Sequence, residues 1–402
     1  MSIRASSDKG AERTLETLRR EDAFVIDGRT PFGIDSVTVD NRTIRVVQRQ
    51  RLISDFGGLT EFVSGRSRRR VLVVAPLAGA YPVLFRDVVL GLLPHANVAI
   101  TDWRDPYYIP SSCGEFGLAE NISSVLEMIR AIGPGGHVVG ICQGAVSALA
   151  ATALLSTRDA AAAPRSLTLI AGPIDPLANP TRVGLASRTY PAEFQQNLMR
   201  TVPDKFPGRG RRIYPANAQF TMLMGYLARH WLFGEVFWKL YQDDGEDPVR
   251  FPFSSLLMRL MNLPAELVLD IVKQVFVERR LCTGRLTVRG QSVVPGAINR
   301  TGLMTIEAQN DDIAAPGQTY AAHALCCGIP DNLRRHLLLP GSAHFSLFHG
   351  NRWRSGVLPP LLQFLEETET RSTPSGIQRV LHCSARPRRS PRGSPSIRRG
   401  EH

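Results

Sequence analysis

His137-Val-Val-Gly-Ile-Cys-Gln-Gly-Ala-Val-Ser-Ala-Leu-Ala-Ala-Thr-Ala-Leu-Leu155 is the stretch whose reading decides the fold. Its first five residues, His137 to Ile141, form a short apolar run of strand type. Its end, Ala145 to Leu155, reads as a helix. Between them lies Gly140-Ile-Cys142-Gln-Gly144, in which glycines flank a cysteine at the point where the chain must double back. A strand that turns sharply into a helix around one nucleophilic residue is the arrangement of the G-x-S-x-G elbow, with a thiol in place of the hydroxyl. The glycines are required because side chains would clash in so tight a turn. The helix N-terminus and a nearby imidazole would both favour a thiolate at the centre. The competing reading is a small buried cysteine behind a strand, a common role for this residue. The strand before, the helix after and suitable partners downstream favour the nucleophile.

Outward from the elbow, the same alternation continues. Val71–Ala75, Asn97–Thr101, His137–Ile141 and Ser166–Ala171 read as buried strands, and Pro82–Leu93, Gly117–Ile132 and Ala145–Leu155 as the helices between them. Ser36–Gln50 reads as a hairpin turning at Asp40-Asn41. From Pro173 to Pro295 the rhythm gives way to helical, aromatic-rich sequence, with Phe220–Tyr241 and Pro252–Arg280 as its helices. It resumes with Gly302–Glu307, a helix over Thr319–Gly328, the strand His336–Leu339 and a final helix over Val357–Glu367. Strands alternating with helices imply a mostly parallel central sheet flanked by helices. The interruption implies a helical cap insertion.

In an α/β-hydrolase fold the acid follows a late strand and the histidine follows the last one. Leu303-Met-Thr-Ile-Glu307 leads into Asn310-Asp311-Asp312, and His336-Leu-Leu-Leu339 leads into Pro340-Gly-Ser-Ala-His344. Asp311 and His344 are therefore the expected partners of Cys142, with Asp312 as the alternative acid. The imidazole would take the thiol proton and later activate water, while the carboxylate fixes its tautomer. The oxyanion hole is expected from the backbone N–H of Gln143 and one donor in Pro76-Leu77-Ala78-Gly79-Ala80, either Leu77 or Ala78. His349 reads as a supporting residue, and His137 and His323 as ordinary strand and helix residues.

The net charge of +12 over 402 residues suggests nucleic acid until it is located. Residues 371–402 hold eight arginines against one acid, Glu401, and Arg66, Arg68, Arg69 and Arg70 add four more charges in one loop. A Ser/Pro/Arg-rich end of this kind reads as a disordered basic tail, so no nucleic-acid partner is expected. The six cysteines are scattered without a C-x-x-C pair, which predicts free thiols, a reducing cytoplasm and no metal. No run of about 18 apolar residues predicts a transmembrane segment. The polar stretch Met1–Arg20 has no apolar core of secretion-signal type. The expected organisation is a flexible extension over 1–30, a core over 31–172 and 296–370, a cap over 173–295 and a disordered tail over 371–402.

Several separated blocks between about Phe32 and Phe364 resemble the intracellular polyhydroxyalkanoate (polyhydroxybutyrate) depolymerases. They are Asn97-Val-Ala-Ile-Thr-Asp-Trp103-Arg-Asp105, Gly172-Pro-Ile-Asp175 with Asn179-Pro-Thr181, and Asn262-Leu-Pro-Ala-Glu266 with Val275-Phe-Val277. To these are added Asn310-Asp-Asp-Ile313 with Gly317-Gln-Thr319, and Pro340-Gly-Ser-Ala-His344-Phe-Ser-Leu-Phe348 with Arg352-Trp353. The resemblance implies hydrolysis of a hydrophobic polyester, or of oligomeric hydroxyacyl esters, by Cys142, Asp311 and His344 without a cofactor, in the cytoplasm or at a granule surface. Two other readings share the motif: a related polyester synthase acting as an acyltransferase, and a non-catalytic granule-binding protein. The stretches Phe220–Trp238 and Pro252–Met261 are either the core of the cap or an exposed patch that docks on polymer.

Overall fold

The computed structural model describes residues 30–65, 67–189, 196–232 and 250–370. The expected N-terminal extension, save for Thr30, and the basic tail lie outside the described residues. Eight strands build the central sheet: β3 (Val47–Ser54), β4 (Gly57–Val63), β5 (Arg70–Val74), β6 (Asn97–Trp103), β7 (His137–Ile141), β8 (Ser166–Ile170), β14 (Gly302–Ala308) and β15 (Arg334–Leu339). Their order is β15-β14-β8-β7-β5-β6-β4-β3, parallel from β15 to β6 and antiparallel at the β6–β4 and β4–β3 pairs. Strands β7, β8 and β14 are buried along their whole length, as expected of parallel strands covered on both faces. This is the α/β-hydrolase fold.

The covering helices are α1 (Arg86–Leu92), α2 (Leu118–Ile132), α3 (Gln143–Arg158) and the C-terminal α7 (Leu358–Thr370). Helix α3 is alanine-rich and buried from Gln143 to Leu155, so it can lie close behind the sheet. From β5 the chain passes to β6 on one side, while β7 pairs with the other side of β5. The carboxyl ends of β5 and β7 therefore flank a topological switch point, the usual place for a site in an open α/β sheet.

The hairpin β1 (Ser36–Val39) and β2 (Arg42–Arg45) turns at Asp40 and Asn41, both with positive φ. This hairpin is a sheet of its own, and the chain then enters β3 and β4 of the central sheet, a pair the sequence did not announce because Gly57-Gly58 masks its alternation. Gly58 is needed there: a Cβ would lie 2.1 Å from the Arg51 carbonyl oxygen of the neighbouring strand.

Between β8 and β14 the chain leaves the sheet. It forms α4 (Arg182–Thr189), α5 (Ala216–Leu232), α6 (Ala265–Asp270) and a π-helical turn, Ile271–Val277. Strands β9 (Arg200–Thr201), β10 (Arg212–Tyr214) and β11 (Leu263–Pro264) make a small antiparallel sheet, and β12 (Thr287–Val288) pairs with β13 (Gln291–Ser292). The stretch expected to be helical over Pro252–Arg280 is thus broken at β11. Pro264 has no N–H to donate and disfavours helical geometry in the residue before it. Phe253, Leu256, Leu257 and Met261 in that stretch are buried core, so it is not an exposed patch. The helix expected over Thr319–Gly328 shrinks to Ala322–Leu325, because the Glu307 carboxylate takes the N–H groups of Gly317, Thr319 and Tyr320 at 2.8–2.9 Å.

The insertion is tied to the sheet domain by polar clamps. Asp105 accepts the Asn262 backbone N–H at 2.9 Å and its side-chain amide at 3.0 Å. Within the insertion, Arg279 forks onto Asp175 at 2.8 and 2.5 Å and joins its two ends. Asp270 accepts the Leu118 N–H at the start of α2, at 3.0 Å. Cys113, Cys142, Cys282 and Cys326 are free, whereas Cys327 is disulfide-bonded, which corrects the expectation of free thiols throughout.

Candidate active site

Cys142 sits where β7 meets α3, with φ 51° and ψ −128°. A positive φ is uncommon for a residue bearing a Cβ and marks strain at functional turns. Neighbouring glycines make the turn possible. A Cβ on Gly140 would lie 2.8 Å from the Ala145 Cα, one on Gly144 2.3 Å from the Val74 carbonyl oxygen, and one on Gly172 2.4 Å from the Ala145 Cβ. The Cys142 N–H donates to the Ile170 carbonyl at 2.8 Å, and its carbonyl accepts from the Ala145 N–H at 3.0 Å. The backbone of the elbow is therefore pinned from both sides, while the Cys142 side chain stays partly accessible.

Asp311 follows β14 by three residues and His344 follows β15 by five. The two loops are stitched together by the Asn310 N–H on the Ser342 carbonyl at 2.9 Å and the Gly341 N–H on the Gln309 side chain at 2.9 Å. Both side chains are buried, and His344 Nδ1 lies 2.8 Å from Asp311 Oδ2. The other carboxylate oxygen, Oδ1, accepts the N–H groups of Ile313 and Ala314 at 2.9 and 2.8 Å. Burial alone would push the His344 imidazole below its ordinary value. Asp311 and Cys142, through charge and hydrogen bonding, reverse that and hold it well above. A carboxylate on Nδ1 fixes the tautomer that presents Nε2 to a partner.

The structure thus brings His344 together with Asp311 and Cys142. Asp312 turns elsewhere: its Oδ1 accepts the Tyr226 hydroxyl of α5 at 2.6 Å. The Leu77 N–H is already engaged, donating to Gln143 Oε1 at 2.9 Å. Ala78 is exposed on the same loop. His349 packs against Phe253 and pairs with Asp87 of α1 at 3.3 Å, a support for the histidine loop. His323 and His336 share the Thr305 hydroxyl at 2.8 and 2.9 Å.

Sequence reasoning missed Glu307, which is 1% exposed and organises the loop beyond the acid. A charged residue near the end of an otherwise apolar strand was the available signal. Among the described residues, no cluster of His, Cys, Asp or Glu could hold a metal ion. A cavity of about 530 Å³ lies over β3, β4 and β6 between Tyr81, Asp102 and Arg104, and Cys142 is not in its lining. No helix among the described residues is long and apolar enough to cross a membrane.

Residues 171–369 match the family described as PHB de-polymerase C-terminus. No curated protein sequence matches the chain. Among solved structures, the chain is similar to a candidate lipase of Acinetobacter baumannii AYE at 15% identity and TM-score 0.48, covering 81% of this chain and 92% of that one. It is also similar to a hydrolase of Pseudomonas aeruginosa PA01 at 14% identity and TM-score 0.46, covering 79% and 98%. A thermophilic esterase of Thermogutta terrifontis aligns at 13% identity and TM-score 0.45, covering 83% and 98%. The sheet topology is that of an α/β-hydrolase, and the later half of the chain, residues 171–369, is similar to the PHB de-polymerase C-terminus family.

Proposed function

We propose that the protein hydrolyses ester bonds of a polyhydroxyalkanoate, or of its hydroxyacyl oligomers, through a Cys142–His344–Asp311 triad. The observation that carries this reading is the buried His344, held by Asp311 at 2.8 Å on one side and facing Cys142 on the other. His344 takes the Cys142 thiol proton as the sulfur attacks the ester carbonyl carbon, and the C=O electron pair moves to oxygen. His344 protonates the departing alkoxide, the C–O bond breaks, and a hydroxyl-ended fragment leaves a thioester on Cys142. His344 then takes a proton from water, the hydroxide attacks the thioester, and a carboxylic acid departs as the thiol is restored. Asp311 keeps the imidazole oriented throughout.

A polymeric substrate is supported by the matched family and by apolar surface on the insertion. Val183 and Leu185 on α4 and Val277 on the adjoining π-helical turn are 39, 48 and 45% exposed. In this reading the protein works in the cytoplasm, at the surface of polymer granules.

The test is to assay purified protein and Cys142→Ala with short 3-hydroxybutyrate oligomers and with a hydroxyacyl-CoA thioester. Hydrolysis of oligomers is expected, with turnover falling by several powers of ten in the variant. Acyl transfer from the CoA thioester would assign the synthase reaction instead. No reaction with either would leave a binding protein, and near-normal turnover by Cys142→Ala would sink the triad.

A further inference from the structure

The Gln143 side chain has no part in the acid–base pair, yet it is only 8% exposed. Its Oε1 reaches across to the loop after β5 and accepts the Leu77 N–H at 2.9 Å. Its Nε2 is buried with no hydrogen-bond partner among the described residues. An amide already bonded to a carbonyl at this distance cannot also aim at an oxygen that becomes negative during reaction. Donors that stabilise such an oxygen must be preorganised and free.

Two residues further on, the loop is pinned again. Gly79, at φ 92°, has its carbonyl 2.7 Å from the Met261 N–H, and a Cβ there would run into Gln219. Ala78 lies between the two anchors, exposed, and no hydrogen bond of its backbone N–H is found among the described residues. The backbone N–H of Gln143 is the first donor of α3, which the helix itself leaves unbonded.

We propose that the Gln143 side chain is a positioning residue for the oxyanion hole. By holding the Leu77 N–H it withdraws that amide and presents the Ala78 N–H, beside the Gln143 backbone N–H, to the acyl oxygen. This rests on the reading that Cys142 attacks an ester carbonyl. The arrangement needs an acceptor of glutamine length at position 143, not merely a side chain of that size.

The test uses the full chain with Gln143→Met, Gln143→Glu and Ala78→Pro, each checked by thermal melting. Kinetics are read on a soluble 3-hydroxybutyrate oligomer, and iodoacetamide alkylation of Cys142 is followed by mass spectrometry. Gln143→Met, which keeps length but loses the acceptor, is expected to lower kcat about ten- to a hundredfold with KM within about twofold, below the full cost of losing a donor. Gln143→Glu keeps the acceptor and is expected to recover most of that loss, with alkylation as in the wild type. Ala78→Pro removes one N–H and is expected to lower kcat at least as far as Gln143→Met. Wild-type kcat in Gln143→Met or in Ala78→Pro overturns the proposal. So does Gln143→Glu being as slow as Gln143→Met while Cys142 alkylates normally, which would point to Nε2 as the group that matters. An active wild type with indifferent Gln143 variants overturns this proposal alone, whereas an inactive wild type overturns the ester-hydrolase reading and this proposal with it.

Discussion

Asp311 and His344 meet at 2.8 Å in a buried contact, whereas the adjacent Asp312 gives its Oδ1 to the Tyr226 hydroxyl at 2.6 Å. Two neighbouring carboxylates are thus divided between the imidazole and the insertion. Asp311→Asn is expected to lower kcat/KM by about four powers of ten, because an amide cannot orient the imidazole and stabilise its protonated form. Asp312→Asn keeps an acceptor for Tyr226 and is expected to stay within about tenfold of wild type. Steady-state kinetics on a soluble oligomer decide this, and the reverse order would move the acid to Asp312.

The glycines of the elbow give a stability prediction that does not depend on the reaction. A Cβ on Gly140 would press on the Ala145 Cα at 2.8 Å and the Ala148 Cβ at 2.9 Å. Neither atom belongs to a flexible side chain, so α3 itself would have to shift. Gly140→Ala is expected to cost about 2 kcal/mol or more, in the upper range of overpacked cores. Urea unfolding monitored by circular dichroism measures it. A midpoint unchanged from wild type would mean that α3 does not need to approach β7 so closely.

What the sequence revealed and what it hid divide along one physical line. Cys142, Asp311 and His344 could be placed because each follows a short apolar strand whose end is marked by Gly, Pro or Asn. The chain order of such a fold then limits the choices. The contacts that shape their surroundings have no local signature. Gln143 and Leu77 are 66 residues apart, and Tyr226 and Asp312 are 86 apart. No periodicity in either segment announces them. The break at Pro264 was written in the sequence, but the aliphatic run on either side of it outweighed a single proline.

The lowered histidines His137 and His323 are expected to contribute to the loss of stability in acid. His137 is 0% exposed, between Ser166 Oγ at 2.8 Å and Glu369 Oε1 at 3.1 Å. Burial pushes it down to about 4, overriding Glu369, and burial does the same to His323. An unfolded histidine takes up its proton near 6.5. Between about 6.5 and 4 the unfolded chain therefore binds more protons than the folded one, and stability must fall as pH falls through that window. The hydrogen bond from Arg69 holds Glu369 at about 2, so that carboxylate adds its own loss only below the ordinary glutamate range. His137→Gln is expected to lower stability at neutral pH yet flatten the acid limb by about one proton, or about 1.4 kcal/mol per pH unit. Urea melts at pH 7, 6, 5 and 4 check this, and an acid limb of unchanged slope would exclude His137 as its source.

Adsorption to polymer separates two parts of the chain with opposite physics. Val183 and Leu185 on α4 and Val277 on the adjoining π-helical turn are exposed aliphatic residues of the insertion, while residues 371–402 carry eight arginines against one acid. Single exposed aliphatic residues are ordinary, so a role for these in docking is decided by whether their replacement weakens adsorption. Apolar adsorption persists or strengthens in salt, whereas attachment through arginines weakens as the Debye length shrinks to about 3 Å at 1 M. The double variant Leu185→Glu, Val277→Glu is therefore expected to adsorb several-fold less to polyhydroxybutyrate granules and to hydrolyse soluble oligomers at the wild-type rate. A chain ending at Thr370 is expected to adsorb as the full chain does, at both low and high salt. Sedimentation with granules in 0.05 and 1 M NaCl, about the range over which screening becomes complete, distinguishes the two. Adsorption that survives the glutamates but is lost on truncation or in salt would transfer docking from the insertion to the arginine-rich end.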